Sequence, residues 1–266
     1  MTIKDICKVH YLSCVEAYFG AWIRDYIELP ALYCESYLSW GEIVRAFTDD
    51  RVNYADFSLI PRVQELSERV EITTHCKGNV IPAVRGKDEL MLLSVKENFF
   101  SRQKPWRSDH YISVERLTEK KISYLNEYPL EEGEISLAKF SDQFGGTCLI
   151  YRVTGNGGQA EILRQSEQQL QKLRENGLSK MPNRLSVKQL RDAIGILRVS
   201  RKRTLEWLTW YEQNCYVIGG DELRERIAKQ INYADKYYFL AQRLMIRGET
   251  DENFIQEAVQ RLGEME

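Results

Sequence analysis

The stretch HYISVERLTEKKISYLNEYP, residues 110–129, predicts two β-strands joined by a tight polar turn. Alternating and β-branched residues favour a strand on each side, and the charged segment RLTEKK supplies the turn. An antiparallel hairpin brings the start of its first strand beside the end of its second. We therefore expect His110 and Asn126 to lie side by side.

The segments around this hairpin predict an α+β fold. Runs of β-forming residues occur on both sides of it, in ELMLLSVKENFF (89–100) and GTCLIYRV (146–153). Nearer the N-terminus, apolar residues recur at helical spacing from Cys14 until Pro30 ends the pattern, and CESYLSWGEIVRAF (34–47) predicts a second helix. Helices followed by an antiparallel sheet are the layout of an α+β domain.

The second half of the chain is predicted to form a separate helical domain. The glycine-rich segment VTGNGGQAE (153–161) interrupts the strand pattern, so we place a first domain over residues 1–155 and a second over residues 156–266. A Ser-x-x-Gln capping box at Ser186 and Gln189 opens a long helix in this second domain. The modest helix lengths predict a small antiparallel bundle packed on the first domain.

Composition excludes several classes of function. With a net charge of -2 and interspersed Lys and Arg residues, the chain is not expected to bind nucleic acid. It has no window of about 18 apolar residues and no secretory signal, so we expect a cytoplasmic protein that binds no membrane. The six cysteines form no CxxC pair, which argues against zinc ligation and a disulfide framework. We expect no metal site.

Cys14 has the setting of a nucleophile. The helical pattern in HYLSCVEAYFGAWIRDY (10–26) begins at this residue, and the N–H groups of a helix's first turn favour a thiolate. Its own N–H would also point toward an oxyanion forming beside it. The alternative is that Cys14 packs as a small apolar residue beside Val15 and Ala17.

A thiol nucleophile needs a base, and the base needs an orienting partner. The sequence contains three histidines, which are His10, His75 and His110. His110 begins a predicted strand, and Asn126 on the next strand can accept a hydrogen bond from its imidazole N–H. The other ring nitrogen would then face Cys14.

Strand geometry argues against two competing groups. Asp109 adjoins His110 in sequence, and neighbouring side chains on a strand point to opposite faces, so Asp109 is poorly placed to orient that ring. His75 and Cys76 are neighbours in the same way. We interpret this second pair as loop residues.

These residues resemble the papain-like fold. The sequence LSCVEAYFGAW beginning a helix, DHYISVE beginning a strand and YLNEYP on the next strand are similar to exporter-associated peptidases that trim leader peptides. The segment LYCESYLSW (32–40) and the separate helical domain are more similar to butirosin-type acyltransferases. They are also similar to papain-like amide synthetases such as the one proposed for closthioamide assembly. The resemblance covers roughly residues 7–153.

The resemblance implies a papain-like cysteine protease fold and a role for each residue of the constellation. Cys14 would be the nucleophile, His110 the general base and acid, and Asn126 the orienting residue. The Gln that completes the peptidase oxyanion hole upstream of the cysteine is missing from DICKVHYLS, and His10 or Tyr11 could supply the second donor instead. The missing Gln puts proteolysis in more doubt than acyl transfer.

The function implied is that of an amide synthetase in natural-product biosynthesis. The acyl group would pass from the phosphopantetheine thioester of an acyl or peptidyl carrier protein through Cys14 to a small amine, with no other cofactor. The cluster RVSRKR, residues 198–203, is the only dense basic cluster that could contact an acidic carrier, and the alternative is a solvated helix face. Hydrolysis by a peptidase or thioesterase is the second interpretation, and an inactive papain-like scaffold is the third.

Overall fold

The computed structural model divides the chain into two compact units. One comprises Met1–Leu29 and Ile60–Gln159, and the other comprises Pro30–Leu59 and Ala160–Glu266. The predicted boundary after residue 155 lies close to this division, but residues 30–59, which we expected in the first domain, belong to the second unit. The structure describes residues 1–34, 36–48, 70–75, 88–96, 99–100, 110–128, 130–153, 166–171, 173, 185–215 and 221–266.

The first unit is an α+β structure built on a six-stranded antiparallel sheet. The strands are β1 (Val70–His75), β2 (Glu89–Val95), β3 (His110–Leu117), β4 (Lys121–Glu127), β5 (Leu130–Ser136) and β6 (Phe144–Val153). Their order across the sheet is β1-β6-β2-β3-β4-β5. The helices of this unit are α1 (Ile3–Ile6), α2 (Cys14–Ile23) and α4 (Leu137–Gln143).

Burial explains which strands the sequence pattern predicted. The β2 segment ELMLLSV is almost entirely buried, because it lies inside the sheet between β6 and β3. The β5 segment LEEGEIS was not predicted, since Glu and Gly are poor strand formers. It forms an edge strand against β4, where Gly133 leaves room for the Tyr124 ring.

The interpretation of His75 as a loop residue was wrong. His75 is the last residue of β1 and pairs with Cys148 on β6. The β-branched run before it extends the strand because β6 supplies a hydrogen-bonding neighbour. Cys76 lies outside the described residues.

The predicted β3–β4 hairpin is confirmed. Ser113 pairs with Leu125, and the chain turns between Leu117 and Lys121, where the Thr118 N–H donates to the Lys121 carbonyl at 3.0 Å. A register shift follows Val114, toward the turn and away from the open end of the hairpin. The first residues of β3 and the last residues of β4 therefore lie side by side.

The two faces of the sheet are covered by different elements. Ile112, Val114 and Ile122 share a buried cluster with Phe140 of α4. Tyr151 alternates with a member of that cluster along β6, so its side chain lies on the opposite face. On that face Phe19 of α2 contacts the Tyr151 ring edge-on, with ring centroids 5.3 Å apart.

The second unit is helical in its described part. Its helices are α3 (Trp40–Thr48), α5 (Val187–Cys215), α6 (Asp221–Arg247) and α7 (Glu252–Gly263), with a further helical segment at 166–171. The predicted capping box is confirmed: Ser186 Oγ accepts from the Gln189 N–H at 3.2 Å, and Gln189 Oε1 accepts from the Ser186 N–H at 2.9 Å. None of the described helices has the length and apolar character needed to cross a membrane.

Residues 198–203 do not form the exposed basic cluster that the sequence suggested. Arg201 and Arg203 are only 0% and 2% exposed. The Arg201 guanidinium donates to the Leu38 carbonyl at 2.7 Å and to Glu266 at 3.0 Å, and Arg198 pairs with Asp235. Buried charges are stable only when they are paired in this way. The segment therefore does not present the exposed basic surface that the sequence led us to expect.

Close packing at Gly20 of α2 leads to a stability prediction. A Cβ at this position would come within 2.6 Å of Val9 Cγ1, so we expect Gly20→Ala to lower the free energy of unfolding. Overpacking of about 1–3 kcal/mol outweighs the gain of about 1 kcal/mol in helix propensity. Urea denaturation followed by circular dichroism measures the change.

Gly195 of α5 provides the matched control. A Cβ there would meet only Tyr238 Cε2 at 3.7 Å, so Gly195→Ala should raise the free energy of unfolding by about 0.5–1 kcal/mol. Adding Val9→Ala should recover part of the loss in Gly20→Ala. Equal effects of the two glycine substitutions would contradict the packing argument.

Candidate active site

The first turn of α2 fixes the position of Cys14. Ser13 is the N-cap residue, and its Oγ accepts from the Glu16 N–H at 3.3 Å. The buried Glu16 carboxylate accepts from the Leu12 N–H at 2.6 Å. This Ser-x-x-Glu arrangement resembles a capping box and holds the chain on both sides of Cys14. Glu16 was not predicted as part of this arrangement, although the motif SCVE contains its signal.

Backbone N–H groups surround the Cys14 sulfur. Tyr111, Val15 and Cys14 itself each donate a backbone hydrogen bond to it, and these bonds favour the thiolate. Burial acts more strongly in the other direction and raises the pKa of Cys14 to about 11, with a further increase from the charge of Glu127. Cys14 is therefore a neutral thiol near neutral pH.

His110 and Asn126 form the pair that the sequence predicts. His110 Nε2 lies 2.7 Å from Asn126 Oδ1, and both side chains are buried. An amide oxygen is only an acceptor, so Nε2 carries the proton and Nδ1 is the basic nitrogen. Burial lowers the pKa of His110, and the bond to Asn126 partly opposes this decrease. The imidazole is therefore neutral at neutral pH.

The structure brings Cys14 to the first peptide of β3. Its sulfur lies against the N–H of Tyr111, the residue that follows His110. In the described part of the chain no hydrogen bond joins the thiol to the His110 ring, because that ring shares the sheet face of Ile112 while α2 covers the other. The structure therefore brings His110 to Asn126 but does not bring the imidazole to the Cys14 thiol.

Tyr18 joins α2 to both strands of the hairpin. Its hydroxyl donates to the Tyr111 carbonyl at 3.1 Å and accepts from the Glu127 N–H at 2.9 Å. Tyr18 lies one helical turn after Cys14, on the same side of α2. This role of Tyr18 was not predicted, since the apolar periodicity of α2 indicates a packing residue and gives no sign of the hydroxyl's hydrogen bonds.

The two candidates for a second oxyanion donor lie between α1 and α2. The Tyr11 side chain is hydrogen-bonded to the Glu127 carboxylate, so its hydroxyl points toward that group. Burial and the charge of Glu127 raise the pKa of Tyr11 to about 12. His10 is half-buried. Asp109 lies outside the described residues.

Comparisons with known proteins identify no family for this chain, so the site is interpreted from its chemistry. No protein-family model matches the chain, and no curated protein gives a significant match. The described residues contain no group of three or more His, Cys, Asp or Glu side chains that could hold a metal ion. A thiol, an imidazole and an orienting amide are nevertheless the groups that form an acyl-enzyme.

The neutral resting state predicts the pH dependence of Cys14 alkylation. Because its pKa is raised from 9.0 to about 11, Cys14 should react with iodoacetamide about 100-fold more slowly than an ordinary thiol near pH 8. The rate should increase with pH throughout the alkaline range. Mass spectrometry of the peptide that contains Cys14 measures this rate, and Cys14→Ala identifies the background.

The exposed Cys7 serves as an internal reference for reagent access. A Cys14 rate that stays constant from about pH 6 to about pH 10 would indicate a preformed thiolate–imidazolium pair and would contradict the prediction.

Proposed function

We propose that this protein is a cysteine-dependent acyltransferase. It would move an acyl group from a carrier-protein thioester through a Cys14 acyl-enzyme to an amine, as an amide synthetase of natural-product biosynthesis. The hydrogen bond between His110 and Asn126 carries this proposal, because it orients a neutral base one residue before Tyr111, whose N–H contacts the Cys14 sulfur from the opposite face of the sheet. A thiol acts as a catalytic nucleophile only when an oriented base can take its proton.

A papain-like fold is part of the same proposal. The cysteine begins α2, the histidine begins β3, and the asparagine lies near the end of β4 in an antiparallel sheet. This order and placement support the resemblance found in the sequence. The α+β class by itself is compatible with many other functions.

The first half-reaction requires the His110 ring to move to the α2 side of β3 when the donor binds, because in this structure the ring lies on the other face of the sheet, against Phe100. His110 Nδ1 then takes the proton of Cys14 as the sulfur attacks the thioester carbonyl. The N–H of Cys14, at the first turn of α2, can stabilise the developing oxyanion. The carbon–sulfur bond to the carrier's pantetheine then breaks, and the departing thiolate takes the proton from His110. Exchange of one thioester for another is nearly neutral in free energy.

In the second half-reaction, an amine attacks the thioester carbon on Cys14 and gives one proton to His110. The carbon–sulfur bond breaks, the Cys14 thiolate takes this proton, and the amide leaves. Burial of the thiol supports transfer rather than hydrolysis, since a site poor in water protects the acyl-enzyme. Hydrolysis remains a distinguishable outcome of the experiment described below.

The outer surface of α6 is a better candidate for carrier binding than residues 198–203. Three cations, Lys229, Lys236 and Arg243, are exposed at seven-residue intervals and therefore lie along one side of the helix. Between them lie the exposed apolar side chains of Tyr233, Phe239 and Leu240, and the exposed Ile246 follows Arg243. The one carboxylate in this stretch, Asp235, pairs with Arg198. An acidic partner with an apolar patch complements this surface.

The function is tested with acyl-pantetheine thioesters and intact-protein mass spectrometry, with and without a diamine. We expect an acyl adduct on the wild type and on Cys7→Ala, and none on Cys14→Ala. Amide should form only when amine is added. His110→Ala should slow acylation about 100-fold or more, because general base catalysis is lost.

Two results would contradict the proposal. Cleavage of a peptide panel without any carrier-linked or pantetheine-linked adduct would identify a peptidase. Absence of both adduct and cleavage, in a folded protein, would favour a binding module without catalytic activity.

Charge reversal on α6 tests the carrier surface separately. The triple variant Lys229→Glu, Lys236→Glu, Arg243→Glu should raise KM for a carrier-bound donor by about tenfold or more at low salt. The same variant should use a free acyl-pantetheine donor as well as the wild type does. An equal loss with both donors would mean that the substitutions damage the protein rather than carrier binding.

A further inference from the structure

Glu127 places a carboxylate beside the nucleophile, and the acylation step does not use it. Its backbone N–H is bound to Tyr18, one turn from Cys14, and it lies on the sheet face covered by α2. Asn126, its neighbour, points to the other face toward His110. Glu127 and Cys14 therefore lie on the same side of the hairpin.

This carboxylate has a neutral partner and no cation. Tyr11 binds it through a hydrogen bond, and among the described residues no Lys, Arg or His forms an ion pair with it. Glu127 is half-buried, so its negative charge is only partly solvated. That charge also opposes ionisation of Cys14. A negative charge that hinders ionisation of Cys14 and has no counterion among the described residues is suited to bind a cationic substrate.

We propose, on the basis of the acyltransferase function above, that Glu127 and Tyr11 form the acceptor subsite, which binds a primary alkylammonium ion and removes one proton from it beside the Cys14 thioester. Primary alkylamines are protonated at neutral pH, as the Lys side chain is. An ammonium ion has no lone pair with which to attack, so the acceptor must lose a proton inside the site.

The protons balance over the two steps. The ammonium gives one proton to the Glu127 carboxylate, which leaves a neutral amine and a neutral carboxyl group. The amine attacks the thioester carbon and gives a second proton to His110, which passes it to the departing Cys14 thiolate. The third nitrogen proton stays on the amide, and Glu127 releases its proton to solvent.

The roles of the two side chains differ. Glu127 contacts the substrate nitrogen and accepts its proton. Tyr11 orients the carboxylate through its hydroxyl, since this bond is the one the structure gives to the Glu127 side chain. The hydroxyl also lets the carboxylate stay ionised before the amine arrives, because hydrogen bonding to the charged form favours it.

A first experiment tests binding without requiring acyl transfer. Butylammonium at Glu127 would cancel the negative charge beside Cys14, so it should accelerate the alkylation of Cys14 by iodoacetamide in the wild type about threefold or more. Glu127→Gln should itself react faster and should not respond to butylammonium. Glu132→Gln, an exposed carboxylate on β5, should behave as the wild type does.

A second experiment tests proton removal on the preformed acyl-enzyme. Once the acyl-enzyme of Glu127→Gln has been formed with excess donor, its deacylation by butylamine near neutral pH should be about tenfold or more slower than that of the wild type. Hydroxylamine is largely neutral at this pH and should deacylate both proteins equally. Raising the pH should restore the butylamine rate of the variant.

Each result has a defined meaning. If butylammonium leaves the alkylation rate of the wild type unchanged, the subsite is wrong whether or not acyl transfer occurs. If binding is seen but no Cys14 adduct forms with any thioester, the proposed function fails while the cation site stands. If butylamine and hydroxylamine deacylate Glu127→Gln more slowly by the same factor, Glu127 has only a structural role and the proposed proton removal is wrong.

Discussion

Within the described part of the chain, the Tyr18 hydroxyl links α2 to both strands of the hairpin. It donates to the Tyr111 carbonyl of β3 and accepts from the Glu127 N–H of β4. Burial raises the pKa of Tyr18, so the hydroxyl keeps its proton and can serve both strands. Since Cys14 lies one turn away, this bridge also determines which backbone groups surround the sulfur.

Burial would protect the proposed acyl-enzyme from water, but it disfavours the charged groups that are needed to form it. It keeps Cys14 protonated, keeps His110 neutral and raises the pKa of Glu127. Water is a weak competitor in such an environment, which suits transfer of an acyl group to an amine. In the proposed reaction these charges would come from the substrates: a thioester would develop the oxyanion, and an ammonium ion would neutralise the Glu127 carboxylate.

The sequence predicted those elements whose formation depends on residues that are neighbours in the chain. The capping box at Ser186 and the start of α2 at Cys14 need only neighbouring residues, so both were found in the sequence. The edge strand β5 and the extension of β1 to His75 were missed, because each depends on a hydrogen-bonding neighbour from another part of the chain. Arg201 was misjudged for the same reason: its burial depends on partners on distant segments.

The sequence by itself determined the α+β class, the hairpin and hence the pairing of His110 with Asn126, since residues close in sequence and strand alternation settle these features. Only the tertiary structure decided that Tyr111 supplies an N–H to Cys14 and that Tyr11 turns its hydroxyl to Glu127. It also decided that the thiol and the imidazole rest uncharged. These features depend on packing between segments far apart in the chain and on the burial that this packing creates.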